Sequence, residues 1–479
     1  MTTFLVAVVV LVAGYFVYGM LVERVIGCDP KRQMPCYTRQ DGVDYMPLPV
    51  WKVFLIQFLN IAGLGPIFGA IMGIMFGPAA FLWIVLGTVF AGAVHDFLSG
   101  VISVRRDGAS LPEIVGNELG GGVKQLMRVF SLLLMVLVGA VFVLTPAGLI
   151  AGMTPEWMDT RFWIFAIFLY YMLATVLPID KLIGNIYPVF GFALLFMAAG
   201  IMCVLIFGDV TIPDGLSEGL YNRRADAGSM PLFPMMFVSI ACGAISGFHA
   251  TQSPMMARCL KNERLARPVF YGAMVAEGLV ALIWAAAAIA FTGGYGQLGE
   301  YLSAGGGAGA LVHDISISWL GAFGGVLAIL GVIAAPITTG DTALRSARLI
   351  AADFMRYDQR IIVRRLIVSI PIFAITFFIM QMDFEILWRY FAWCNQALSV
   401  FTLWAITVYL ARHGKIYWIT MIPAMFMTCV CMTYILFAPE GFRLDYTLSV
   451  GAGLVSALLA CVWFMRKVVY SKSFNIVED

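Results

Sequence analysis

The chain has 479 residues, of which 61% are hydrophobic and 12% charged, with a mean hydropathy of +0.91. A soluble domain carries roughly 25% charged residues. Half that fraction cannot cover a water-facing surface, which excludes a soluble enzyme, a nucleic-acid binder and a disordered scaffold; with a net charge of only +2, the expected partner is the lipid bilayer.

A helix crosses the hydrocarbon with about 20 apolar residues. Taken in chain order, spans are predicted at Thr2–Val22, Val50–Phe76, Ala79–Val104, Gln125–Gly152, Arg161–Leu177, Ile183–Phe207 and Met230–Arg258. Others follow at Pro268–Phe291, Ser316–Thr339, Ile361–Met380, Phe384–Leu410, Ile416–Phe437 and Tyr446–Phe464. The expected fold class is thus an all-α integral membrane protein with about 13 transmembrane helices. The first span lacks the basic n-region and small-residue cleavage site of a signal peptide. Counting from an outside N-terminus, the loops expected in the cytoplasm collect all the Lys and Arg except Arg161, Arg223, Arg224, Arg443 and the in-span Arg389. That asymmetry predicts N-out, C-in in a bacterial inner membrane. Cys203, Cys242, Cys394, Cys429, Cys431 and Cys461 lie in apolar runs and are expected as small core residues. Cys28 and Cys36 stand in a polar loop, with a spacing that matches no standard metal pattern.

Two spans contain segments that a lipid-facing helix avoids. The second reads Gln57-Phe-Leu-Asn60-Ile-Ala-Gly63-Leu-Gly65-Pro66 and the seventh Ala241-Cys-Gly243-Ala-Ile-Ser246-Gly247-Phe-His249-Ala-Thr251-Gln252-Ser253-Pro254. Glycine permits unwound backbone and proline removes a donor, and such backbone in hydrocarbon must be buried in protein or line a cavity. The two breaks are five spans apart, so they run in opposite directions. That is the pattern of a LeuT/APC-type 5+5 inverted repeat, with units at 50–208 and 230–411 and half-helix ends facing a solute. Residues 1–22 form a peripheral helix in this scheme, 23–49 a cytoplasmic loop and 209–229 an extracellular loop. Residues 412–479 supply two further helices and a tail. Kinks serving tight helix packing are the alternative reading.

Ionisable groups within spans each need a reason. Glu277 falls near mid-depth and suits either a proton carrier or a neutral acid bonded to a carbonyl. His249 sits inside the seventh-span break as a candidate for solute contact or proton relay. His95–Asp96 is expected to be a gate or a helix-end ion pair, as is Asp341–Arg345, spaced i,i+4. Thr338 and Thr339 are candidate oxygen ligands for Na⁺, and no other cofactor is expected. Asn395 and Gln396 lie deep enough to want polar partners. The candidate solute-binding set is therefore Gly63, Gly65, Ser246, Gly247, His249, Thr251, Gln252, Ser253, Asn395 and Gln396.

At these residues the chain resembles the carbon starvation protein family, CstA. The resemblance rests on Asp41–Tyr45, Ile61–Pro66, Gly92–Phe97, Ser110–Ile114, Cys242–Pro254, Gly340–Arg345 and Leu387–Gln396, of which Cys242–Pro254 is the most specific. It implies a carrier of the amino acid–polyamine–cation type, not an enzyme, taking up peptides when carbon is scarce, with proton-coupled pyruvate uptake as the alternative. Readings of another class are a nutrient sensor that does not transport, and a redox subunit with His95 and His249 as haem ligands.

Overall fold

The computed structural model describes residues 1–41, 45–176, 180–213, 219–357 and 362–470, and among these every regular element is helical. Asp44, Leu177, Arg360, Ile361, Lys472 and the Lys181 side chain lie outside the described residues. Among the described residues ten helices are long and apolar enough to cross a membrane, and the bent pair Val50–Ile61 (α2) and Gly65–Ile74 (α3) brings the count to as many as eleven. The others, in order, include Thr2–Ile26 (α1), Ala79–Arg105 (α4), Gly121–Ala151 (α5), Glu263–Thr292 and Gly307–Ala352. At the remaining two expected positions stand the shorter Thr160–Val176 and an interrupted pair, Leu232–Ser239 and Gly247–Ala257.

The distribution of polarity is the inverse of a soluble protein. Val17, Phe165, Phe378 and Leu459 face outward, each more than 60% exposed, while Asp96, His249 and Glu277 are fully buried. Such a surface is stable only where the surroundings are as apolar as the side chains. Cys203 belongs to that outward surface rather than to the core, whereas Cys36 is buried and its thiol donates to the Leu260 carbonyl at 3.1 Å.

Both interruptions have local causes. After Ile61 the backbone leaves helical geometry at Ala62 (φ −83°, ψ 45°), and α3 restarts with Pro66 in its first turn, where no N–H is required. The two halves meet at 54°. The second break runs from Ile240 (φ −94°, ψ 64°) to Ser246 (φ −143°, ψ 130°). The helix beginning at Gly307 turns at Gly321 (φ 65°, ψ −156°), a left-handed conformation that glycine adopts without strain. It then continues unbroken past Thr339, the expected end of that span, as far as Met355. Asp341 and Arg345 consequently lie inside a helix, both buried and 3.6 Å apart, instead of at its end.

One face of the bundle is held by ion pairs between distant segments. Glu263 bonds Arg105 at 2.7 Å and Arg32 at 3.5 Å; Glu118 bonds Arg106 and, at 2.8 Å, Arg412. Both carboxylates are buried. On the opposite face Arg223 lies over the Tyr221 ring, and its backbone N–H donates to the Phe76 carbonyl at the end of α3.

Candidate functional site

The later helices are Thr160–Val176 (α6), Asp180–Phe207 (α7), Leu232–Ser239 (α8), Gly247–Ala257 (α9), Glu263–Thr292 (α10), Gly307–Ala352 (α11), Ile362–Ile379 (α12) and Phe384–Arg412 (α13). The two interruptions touch. A Cβ built on Gly65 would overlap the Cys242 side chain, one on Gly73 would overlap Ile240, and Gly69 abuts the Ser239 carbonyl. Glycine on α3 thus lets it lie directly against the second unwound segment. Helix α4 seals the other side: Trp83 Nε1 donates to the Ile240 carbonyl at 3.2 Å and Thr88 Oγ1 to the Gly243 carbonyl at 3.0 Å. Unwound carbonyls that would be costly in hydrocarbon are paired this way.

Four buried ionisable side chains form a continuous series beside this junction. His95 Nδ1 lies 2.8 Å from Asp96 Oδ1, and His249 Nδ1 lies 3.0 Å from Asp96 Oδ2. The other nitrogen of His249, Nε2, is 3.5 Å from Glu277 Oε2. With Asp96 ionised, each ring donates its Nδ1–H to the carboxylate, which leaves His249 Nε2 facing Glu277. That gap is longer than a direct hydrogen bond, and neither Glu277 oxygen has a hydrogen-bond partner. One proton added there sits on the imidazole, making an ion pair, or on the carboxyl, making a neutral donor. His95 and Asp96 are therefore not a helix-end pair: they lie well inside α4, because the carboxylate faces His249 across the interface instead of water.

Asn395 on α13 engages the start of α9. Its Oδ1 accepts from Ser246 Oγ at 3.0 Å and from the Phe248 N–H at 3.2 Å. Approach is close because Gly247 has no side chain; a Cβ there would stand 2.5 Å from the Ser399 nitrogen and 2.7 Å from the Asn395 carbonyl oxygen. Gln396 Nε2 donates to the Phe237 carbonyl at 3.2 Å, tying α13 to α8 as well. Thr251 and Ser253 are spent on carbonyls of their own helix, at Phe248 and His249, and Gln252 donates to Thr251. Gly63 packs against the Phe142 ring, with Thr339 Oγ1 3.9 Å from where its Cβ would be. Thr338 and Thr339 both donate to the Ala335 carbonyl, at 2.7 and 3.0 Å.

Several groups escaped the sequence reading. Gln57 and Asn60, quoted with the first broken segment but left out of the solute-binding set, are buried in the last turns of α2 with both polar atoms of each carboxamide unpaired; their i,i+3 spacing in an apolar helix was the available signal. Glu118 and Glu263 lie between the expected spans and were not singled out. Cys242, taken for core, stands at the meeting point of the breaks.

A polytopic helical membrane protein whose two discontinuous helices meet at a buried polar centre is the class these features define. The chain belongs to the carbon starvation protein CstA family, whose sequence profile matches residues 1–158, 147–303 and 295–434. An uncharacterized membrane protein of Haemophilus influenzae is 42% identical over 352 residues, covering 64% of this chain and 95% of that one. The peptide transporter CstA of Campylobacter jejuni is 30% identical across 58% of this chain and 48% of its own length. The pyruvate/proton symporter BtsT of Escherichia coli is 29% identical across 58% and 47%. The chain thus spans about half the length of those two transporters. A manganese transporter from Eremococcus coleocola, 12% identical, superposes with a TM-score of 0.52 over 91% of this chain and 99% of that one, a likeness of fold.

Proposed function

We propose that the protein is a secondary-active importer of small carboxylate-bearing nutrients in a bacterial inner membrane, with peptides as the first substrate class and pyruvate as the alternative. The observation that carries this reading is the buried series His95–Asp96–His249–Glu277, which connects a discontinuous helix to two neighbours. The proton affinity of such a set depends on the separation of its members. Rocking α9 against α4 and α10 changes that separation, so the outward and inward states bind protons differently. By linkage, whatever free energy the proton contributes to one state is available to the solute bound in that state. The remaining parts of the proposal are the inverted units at 50–208 and 230–411 and the N-out, C-in orientation. The spacing of the breaks and the loop charge support these two parts respectively.

Na⁺ coupling is a second reading because Thr339 lies beside Gly63, bringing a hydroxyl oxygen next to unwound backbone. The haem reading is disfavoured by geometry: with Nδ1 on Asp96, His249 turns its remaining nitrogen, Nε2, to Glu277 at 3.5 Å. Proteoliposome uptake of labelled dipeptide and pyruvate, with H⁺ and Na⁺ gradients imposed separately, tests the proposal. Accumulation driven by one gradient supports an importer; binding without exchange leaves a sensor.

A further inference from the structure

We propose that the Asn395 carboxamide is a resident stand-in for the substrate carboxylate, and that solute binds by displacing it from the start of α9. This rests on the importer reading and adds a specificity-determining residue to it. A helix start offers unpaired N–H groups and the positive end of the helix dipole, which favour an anion. Here that place is already taken. Asn395 Oδ1 accepts from the Phe248 N–H and the Ser246 hydroxyl, while the Cys242 thiol, 3.8 Å from Ser246 Oγ, supports the hydroxyl from behind.

The orientation of the carboxamide follows from its partners. A backbone N–H can only donate, so the atom facing Phe248 is the oxygen and the outward atom is Nδ2. That Nδ2 is fully buried and has no partner. Two nearby carboxamides are fixed by the same logic. Gln396 Nε2 faces a backbone carbonyl, and Gln252 Nε2 faces a threonine oxygen whose proton goes to Phe248 O. Their Oε1 atoms are likewise unpaired. Three buried side chains on the second discontinuous helix and on α13 thus each hold one polar atom in reserve, a costly arrangement without a ligand. An incoming carboxylate has the shape of the Asn395 amide but carries a full charge, so its bonds to Ser246 and Phe248 are stronger than those of the neutral oxygen it replaces. The released Nδ2 can then donate to the carboxylate's second oxygen. Because Asn395 belongs to α13 and its donors to the start of α9, displacement also loosens the tie between these helices.

The test is binding of labelled pyruvate and of alanyl-alanine to the purified full chain, for wild type, Asn395→Ala and Asn395→Asp. Asn395→Ala relieves the two hydrogen bonds that solute must displace and forfeits the single Nδ2 donation, so binding tightens, by about tenfold for a net difference of one neutral hydrogen bond. A tethered carboxylate of the same shape competes better than the amide and weakens binding by about as much or more. Opposite shifts support the proposal. Equal weakening by both variants makes Asn395 an ordinary contact and overturns it, as does affinity unchanged in either. Melting temperatures of the variants separate these results from misfolding, and Asn395→Leu, of similar volume and without an acceptor, takes the place of Asn395→Ala if that variant is unstable. A wild type that binds neither probe removes the importer reading itself, a result distinct from the other two.

Discussion

Glu277 stands in an apolar stretch of α10 and His249 in a polar stretch of α9, and their side chains approach to 3.5 Å across the two helices. Two predictions belong to this residue scale. Glu277→Gln keeps the shape and removes the exchangeable proton. It should abolish uptake driven by a pH gradient, a loss on the order of 10²-fold or more, while solute exchange persists. Driven uptake at the wild-type rate would take Glu277 out of the coupling path. Asp96→Asn should give the same separation of driven uptake from exchange, since the amide cannot anchor both imidazoles as an anion does. Counterflow in proteoliposomes beside gradient-driven accumulation reads both.

Among the helices, small residues decide how near the two breaks can come. Gly65→Ala adds a methyl where the Cys242 side chain already stands, so it should cost about 1–3 kcal/mol and lower Tm. Cys242→Gly in the same chain should recover much of that loss; no recovery would mean the methyl strains α3 itself. The threonines of α11 supply a second test at this scale. If Thr338 and Thr339 hold Na⁺ beside Gly63, saturating Na⁺ at about a hundred times Kd should stabilise the wild type by about 2.7 kcal/mol. The double alanine variant should lose that increment, and a wild type whose Tm ignores Na⁺ removes the site. The π-helical turn at Thr88–Gly92 has a comparable role in α4: it accompanies the donation of Thr88 Oγ1 to Gly243 and the close approach of Gly92 to Ala244.

Across the whole molecule, the ion-paired face is closed by two buried glutamates, each gripped by arginines from separate segments. Glu263→Ala leaves Arg105 and Arg32 without their shared carboxylate and should cost about 3–5 kcal/mol, the usual penalty for breaking a buried pair. If this clamp shuts the path to the centre, the variant should also raise thiol labelling at Cys242, buried between the breaks. Lower Tm without more labelling would make the clamp structural only. A fluorescent protein fused to the C-terminus should fluoresce in the cytoplasm if the loop-charge orientation holds.

The apolar runs, the two breaks and the asymmetry of Lys and Arg were legible in the sequence because each is a local property. Length against bilayer thickness, Gly/Pro against helical geometry and charge against membrane potential need no neighbour to be evaluated. The reach of the helix carrying Thr338 to Met355 was not, since polar residues such as Asp341 and Arg345 look like a helix end until burial against α6 is known; Arg345 donates to the Ala174 carbonyl at 2.7 Å. Nor could spacing show that His95, Asp96, His249 and Glu277 form one series, because their separation along the chain says nothing of helices packed side by side. Composition and pattern by themselves determined a bundle of membrane-crossing helices with two flaws. Which side chains those flaws bring together, and that an asparagine already occupies the start of α9, was decided by packing, where a glycine's missing Cβ sets the distance.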